Sequence, residues 1–377
     1  MDDKKEGFTM KILIAPDSYK ECLSAMRVAE CIAKGLQASI PAAEVILRPM
    51  ADGGEGTVDA LIYGLNGKKE EIHTVDMYRR PLTTYYGKLD DTTAVIEVAN
   101  IIGMEVTRAR NPYLASSFGV GDVIRQLIER GYKKVFIGLG GSLTNDGGAG
   151  LLEALGLQFI DNKGRILTIN GRNLSEIRLI KGHLIPALKE IELHLICDVT
   201  NPLTGEHGAT YTYGKQKGIE EEEMKAFDES IASFAVKLEQ HLNVHCHHIE
   251  GAGAAGGIGY GLLSAGAVMH SGAEYIADIV LNDLDLKTFD YIFTGEGKSD
   301  FQTQYGKLPV CVANRGNDAG VQSILVAGGL GTNYEALYDH FLSLHSITDG
   351  PMSLDDAMDN AEKLISNTCR NIGILLK

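Results

Sequence analysis

Short apolar runs that break into polar, glycine-bearing loops recur along the chain. The first run, residues 12–15, opens into a polar loop over 16–23. Ser24 then stands where a helix cap belongs, and Val28, Ile32 and Leu36 follow at the spacing of one helix face. A second run, 45–47, leads into Met50-Ala-Asp-Gly-Gly-Glu-Gly-Thr57 and a short helix. Strand, loop and helix repeated in this order is the grammar of a parallel sheet with crossover helices.

That grammar changes near residue 71. Residues 72–76, 82–89 and 93–99 predict three antiparallel strands, the last two joined by a turn at Asp90-Asp91. A helix is expected over 120–130, then a buried strand over 135–139 that runs into Gly140-Gly-Ser-Leu-Thr-Asn-Asp-Gly-Gly148. A strand over 193–197 ends in Asp198-Val-Thr-Asn-Pro202. Residues 220–243 predict an amphipathic helix whose acidic first turn suits the helix dipole.

After a glycine-rich stretch over 251–261 the alternation returns. A strand over 291–294 opens into Gly295-Glu-Gly-Lys-Ser-Asp300, and one over 324–327 ends in Gly328-Gly329. Ser353 and Asp356 form a box that starts the C-terminal helix. First and last stretches share one style. We therefore expect a discontinuous Rossmann/flavodoxin-like parallel-sheet domain, 10–70 plus 285–377, with a second α/β domain, 71–284, inserted.

Composition narrows the class. At 377 residues the chain exceeds one ordinary core, which favours two domains. There is no Trp, so the core should be aliphatic. A net charge of −15 argues against nucleic acid or an anionic membrane as partner, but local cations can still hold a small anion. Six scattered cysteines with no CxxC pair read as reduced core thiols. No apolar run approaches the roughly 18 residues of a membrane span. Residues 1–9 lack the apolar core of a signal peptide and read as a short disordered lead-in, so a cytoplasmic protein is expected.

Four loops share one design, an apolar strand ending in small residues with a carboxylate among them. They are Asp17-Ser-Tyr-Lys20, Asp52-Gly-Gly-Glu-Gly-Thr57, Gly140 to Gly148, and Gly295 to Asp300. Such loops converge at the carboxyl ends of strands, where α/β sheets bind ligands. Glycines let backbone N–H groups approach phosphate, and carboxylates hold Mg2+ or take a hydroxyl proton.

The usual nucleotide signatures fail: Gly297-Lys-Ser299 has Ile292 where a P-loop needs glycine, and H-R-D and D-F-G are absent. Gly251-Ala-Gly-Ala-Ala-Gly256 fits a dinucleotide fingerprint, but tight packing of a glycine turn explains it better. His241, His245 and His248 have the spacing of one helix face, as ligands or, better, as a hydrated helix end. Asp198 reads equally as a turn former and as a base or metal ligand.

Taken together and in order, these segments resemble the bacterial glycerate kinases of the glycerate 2-kinase type. The match is carried by Ile14-Ala-Pro-Asp-Ser-Tyr-Lys20, Pro49 to Thr57, Gly140 to Ala149, Cys197 to Leu203, Gly251 to Gly257, Thr294 to Asp300 and Pro351 to Asp355. It runs from about residue 10 to the end. Glu21-Cys22 stands where the family more usually has Gly-Ser, and Phe301 where it has a small residue.

The resemblance implies ATP and Mg2+, glycerate as acceptor and 2-phosphoglycerate as product. On these loops, Gly140, Gly141, Ser142, Asn145, Gly147, Gly148, Gly295 and Glu296 are expected to bind ATP. Asp17, Ser18, Gly53, Gly54, Glu55 and Thr57 are expected at the substrate. Asp146 or Asp198 is expected to hold Mg2+, and Asp52 or Asp300 to accept the hydroxyl proton, with Asp198 a further catalytic candidate. Lys20 and Lys307 are expected to neutralise the glycerate carboxylate or the transferred phosphoryl. A homodimer stays open. Two other classes also remain, an oxidoreductase using the 251–256 glycines and a non-catalytic metabolite sensor.

Overall fold

The structure, a computed structural model, describes residues 9–104, 106 and 110–377, so the expected lead-in lies outside it save for Thr9. The chain is mixed α/β and divides into two compact units. One comprises Met1–Asp52, Asp59–Leu65 and Ala273–Lys377; the other comprises Gly53–Val58 and Asn66–Gly272. In chain order the strands of the main sheets are β1 (Lys11–Ile14), β2 (Glu44–Leu47), β3 (Lys68–Val75), β4 (Pro81–Lys88), β5 (Thr93–Glu97), β6 (Lys134–Gly138), β7 (Glu192–Ile196), β8 (Val268–His270), β9 (Tyr291–Thr294), β10 (Gln322–Ala327) and β11 (Ser343–Ser346).

The first unit holds a five-stranded parallel sheet in the order β11-β10-β9-β1-β2. Chain direction through the sheet reverses between β1 and β9, which is the flavodoxin-like arrangement, and ligands bind at the carboxyl ends of strands at such a switch point. Ser24 caps the helix Ala25–Ser39 by accepting from the Arg27 N–H, and Val28, Ile32 and Leu36 face inward. They meet Ile12, Ile14, Phe293 and Ile324 from the sheet and Leu364, Ile365 and Ile372 from the last helix. Burying each such aliphatic side chain contributes about 1.5–3 kcal/mol. The Ser353 hydroxyl accepts from the Asp356 N–H as expected, but its helix ends at Asp359. A separate helix, Ala361–Leu375, forms the true C-terminal element.

The second unit holds a six-stranded sheet in the order β8-β7-β6-β5-β4-β3, parallel from β8 to β5 and antiparallel through β4 and β3. The β4–β5 hairpin closes where Asp90 accepts the N–H groups of Thr92 and Thr93. A three-stranded sheet of Leu157–Ile160, Ile166–Leu167 and Leu179–Gly182 was not foreseen. Its strands are too short to show a period.

The long helix Glu221–Leu242 stops at left-handed Asn243. His245 and His248 therefore lie beyond it, and the three histidines share no helix face. His241 bonds the Gly182 carbonyl, and His245 pairs with Glu239. Among the described residues no three His, Cys, Asp or Glu side chains gather as metal ligands. The 251–261 glycines serve packing: Gly256 lets the Thr144 carbonyl approach, and Gly257 lies against the Gly147 backbone. No helix among the described residues is long and apolar enough to cross a membrane.

Candidate active site

In the first unit the loops after β1 and β9 carry the charged side chains. The Asp17 N–H bonds the Gly295 carbonyl at 2.9 Å, which fixes one loop to the other. Gly295 is required for space, because a Cβ there would strike the Val326 carbonyl. Asp17 is buried and accepts from the Ser18 N–H at 2.7 Å. Burial first, and then the charges of Asp52 and Glu296, push its carboxyl up to about 7 against the opposing pull of Ser18 and Lys20.

Lys20 reaches Asp52 Oδ2 at 2.8 Å. Burial opposes its charge, yet Asp52, with Asp17 and Glu296, holds the ammonium above its ordinary value. Glu296 accepts from Ser299, Thr303 and, at 3.4 Å, Lys307. Asp17, Ser18, Lys20, Asp52, Gly295, Glu296 and Lys307 therefore share one polar cluster at the sheet's switch point. Asp300 takes another part: it caps the 3-10 turn Phe301–Gln304 by accepting from the Gln302 N–H.

Glu21 has φ +62°. An L side chain is strained there and glycine is not.

In the second unit the loop after β6 is the centre. Gly141, Gly147 and Gly148 all have left-handed φ. Gly140 and Gly141 are its more open part, while residues 142–150 are buried. The N–H groups expected to meet phosphate are in part committed elsewhere. Gly140 donates to the Gly53 carbonyl, Gly147 to the Gly256 carbonyl and Gly148 to Asp146 Oδ1. They shape the loop, which corrects their expected role as phosphate donors.

Asp146 is likewise spent on the scaffold. It is fully buried and accepts from the Ser117 N–H and hydroxyl and from the Gly148 and Gly150 N–H groups. Burial raises its pKa, and those bonds hold it down. A carboxylate so enclosed is a poor Mg2+ ligand. Asn145 donates to the Thr210 hydroxyl at 2.9 Å. Thr57 bonds the Gly54 carbonyl at 2.7 Å and starts the helix Thr57–Gly64, while Glu55 is exposed. Asp198 is exposed at the end of β7 and accepts from the Gly272 N–H at 2.6 Å.

One residue escaped the sequence entirely. Lys217 is buried beneath this loop, donating to Ser142 Oγ at 3.1 Å and to the Thr144 carbonyl at 2.8 Å.

One unit with a flavodoxin-like sheet carrying carboxylates and lysines at its switch point, and a second unit with a glycine loop, are the make-up of a small-molecule phosphotransferase. The chain belongs to the glycerate kinase family, whose model matches residues 12–377. It is 39% identical over 374 residues to glycerate kinase of Bacillus cereus, covering 98% of both chains. With glycerate 2-kinase of Escherichia coli it shares 36% over 373 residues, 97% of this chain and 98% of the other. A crystal structure from Salmonella typhimurium LT2, described provisionally as glycerate kinase 2, superposes with a TM-score of 0.85 at 36% identity, covering 98% of each chain. The chain is thus a kinase, and its family phosphorylates glycerate.

Proposed function

We propose that this chain transfers the γ-phosphoryl group of ATP, with Mg2+, to the 2-hydroxyl of glycerate, giving 2-phosphoglycerate and ADP. The observation that carries this reading is Asp17, a buried carboxyl crowded by Asp52 and Glu296 and brought to about 7. A general base works best with a pKa near the operating pH, so Asp17 takes the proton from the glycerate hydroxyl. This moves the base role from Asp52 or Asp300, since Asp52 is paired with Lys20 and Asp300 is a helix cap.

Lys20 and Lys307 flank the same cluster and bind the glycerate carboxylate. Holding the carboxylate there brings the hydroxyl on the adjacent carbon nearest the base, which favours the 2-isomer. Gly141, the exposed residue of the second unit's loop, and the neighbouring Ser142 hydroxyl receive the nucleotide phosphates.

Mg2+ commonly takes one or two protein carboxylates beside phosphate oxygens. The repulsion between Asp17 and Asp52 marks an excess of negative charge that a divalent cation relieves, and Asp52 is the ligand we assign. When bound, the ion neutralises charge on the transferring phosphoryl.

ADP release measured over a panel of small hydroxy acids tests the reading. Glycerate should be the best acceptor, turned over at roughly 1–100 s−1, and chelator should stop the reaction. Turnover that persists in excess EDTA would remove the metal from it.

A further inference from the structure

Lys217 stands in an unusual position for a lysine. The residue is only 3% exposed, yet it forms no ion pair among the described residues. Asp146, in the same loop, is the one titratable group that acts on it, from beyond pairing distance and with its own carboxylate enclosed. Burial, opposed by the charge of Asp146, brings the amine down to about 7. Nearby, Thr144 Oγ1 and Asn145 Oδ1 are buried without hydrogen-bond partners among the described residues. The polar interior of this loop is not closed by the protein alone.

Hydrogen-bond direction gives the arrangement a consequence. The Thr144 carbonyl only accepts, so one Lys217 N–H is fixed on it. An ammonium has no lone pair, so Ser142 must accept from it, and the Ser142 hydroxyl proton is then free for another acceptor. A neutral amine can instead accept that proton and draw it inward.

We propose that Lys217 is a positioning residue for phosphate binding: as an ammonium it turns the Ser142 hydroxyl outward to donate to the ligand's phosphate, whose charge supplies the missing counter-ion. This rests on the assignment of Gly141 and Ser142 to nucleotide phosphates. Ligand binding then takes up a proton. Affinity falls above pH 7, by up to tenfold per pH unit while one proton is linked.

Calorimetry of MgADP binding to the full chain at pH 8, in buffers of differing ionisation enthalpy, tests this. The wild type should take up close to one proton per ligand, at a pH where ADP itself has none to exchange. Lys217→Met should lose that uptake and bind on the order of tenfold or more weakly. Lys217→Arg, always charged, should keep affinity while losing the uptake. Zero uptake by the wild type, or uptake unchanged in Lys217→Met, would overturn the inference while leaving the nucleotide site standing. Failure of the wild type to bind MgADP at any pH would instead remove the nucleotide assignment beneath it.

Discussion

The polar centres of the two units show opposite charge logic with one physical cause. In the first, carboxylates crowd together and burial pushes Asp17 up to about 7. In the second, a lysine is buried without a paired carboxylate among the described residues and is brought down to about 7. Both groups sit near neutrality because desolvation penalises their charged forms. Each is therefore poised to change charge when a partner arrives. Buried groups matched to their neighbours, such as Asp146 with its four donors, are set instead for structure.

The largest effect should come from Asp17→Asn, which keeps the shape and removes the base. We expect kcat to fall on the order of 10²–10⁴. Asp300→Asn keeps a capping oxygen for the Gln302 N–H and should leave both stability and kcat near wild type. Steady-state rates in which Asp300→Asn is crippled and Asp17→Asn is not would reverse the assignment.

The ligand-free stability of Asp17→Asn sharpens the same point. A carboxyl raised from 3.8 to about 7 contributes stability that is complete below the unfolded value and lost as pH rises through the folded one. Wild type should therefore lose melting temperature relative to Asp17→Asn between about pH 4 and 7, with the gap constant above. A gap independent of pH would show that Asp17 is ionised throughout.

Smaller effects probe the loops that carry these groups. Gly295→Ala forces a Cβ onto the Val326 carbonyl and should cost about 1–3 kcal/mol. Glu21→Gly relieves a left-handed residue and should stabilise by up to about 1 kcal/mol. Urea midpoints that shift the other way would mean these backbone positions are not as described.

The strands and the four carboxylate loops were legible because apolar runs and glycine clusters are local signals. What those loops do with each carboxylate was not. Asp17, Asp52 and Asp300 look alike in sequence, and only the contacts of β1 with β9 bury the first while a turn claims the last. Lys217 was invisible for the same reason. In Tyr-Gly-Lys-Gln-Lys-Gly it reads as a solvated helix end, and its burial comes from packing against the turn at Gly256, some forty residues on.

In the proposed reaction Asp17 acts on the hydroxyl beside the clamped carboxylate. Coupling the reaction to enolase, with no phosphoglycerate mutase present, tests it most directly, because only 2-phosphoglycerate is dehydrated. Phosphoenolpyruvate should appear in step with ADP. ADP released without phosphoenolpyruvate would show that the primary hydroxyl is the acceptor and that glycerate does not lie against Asp17 as described.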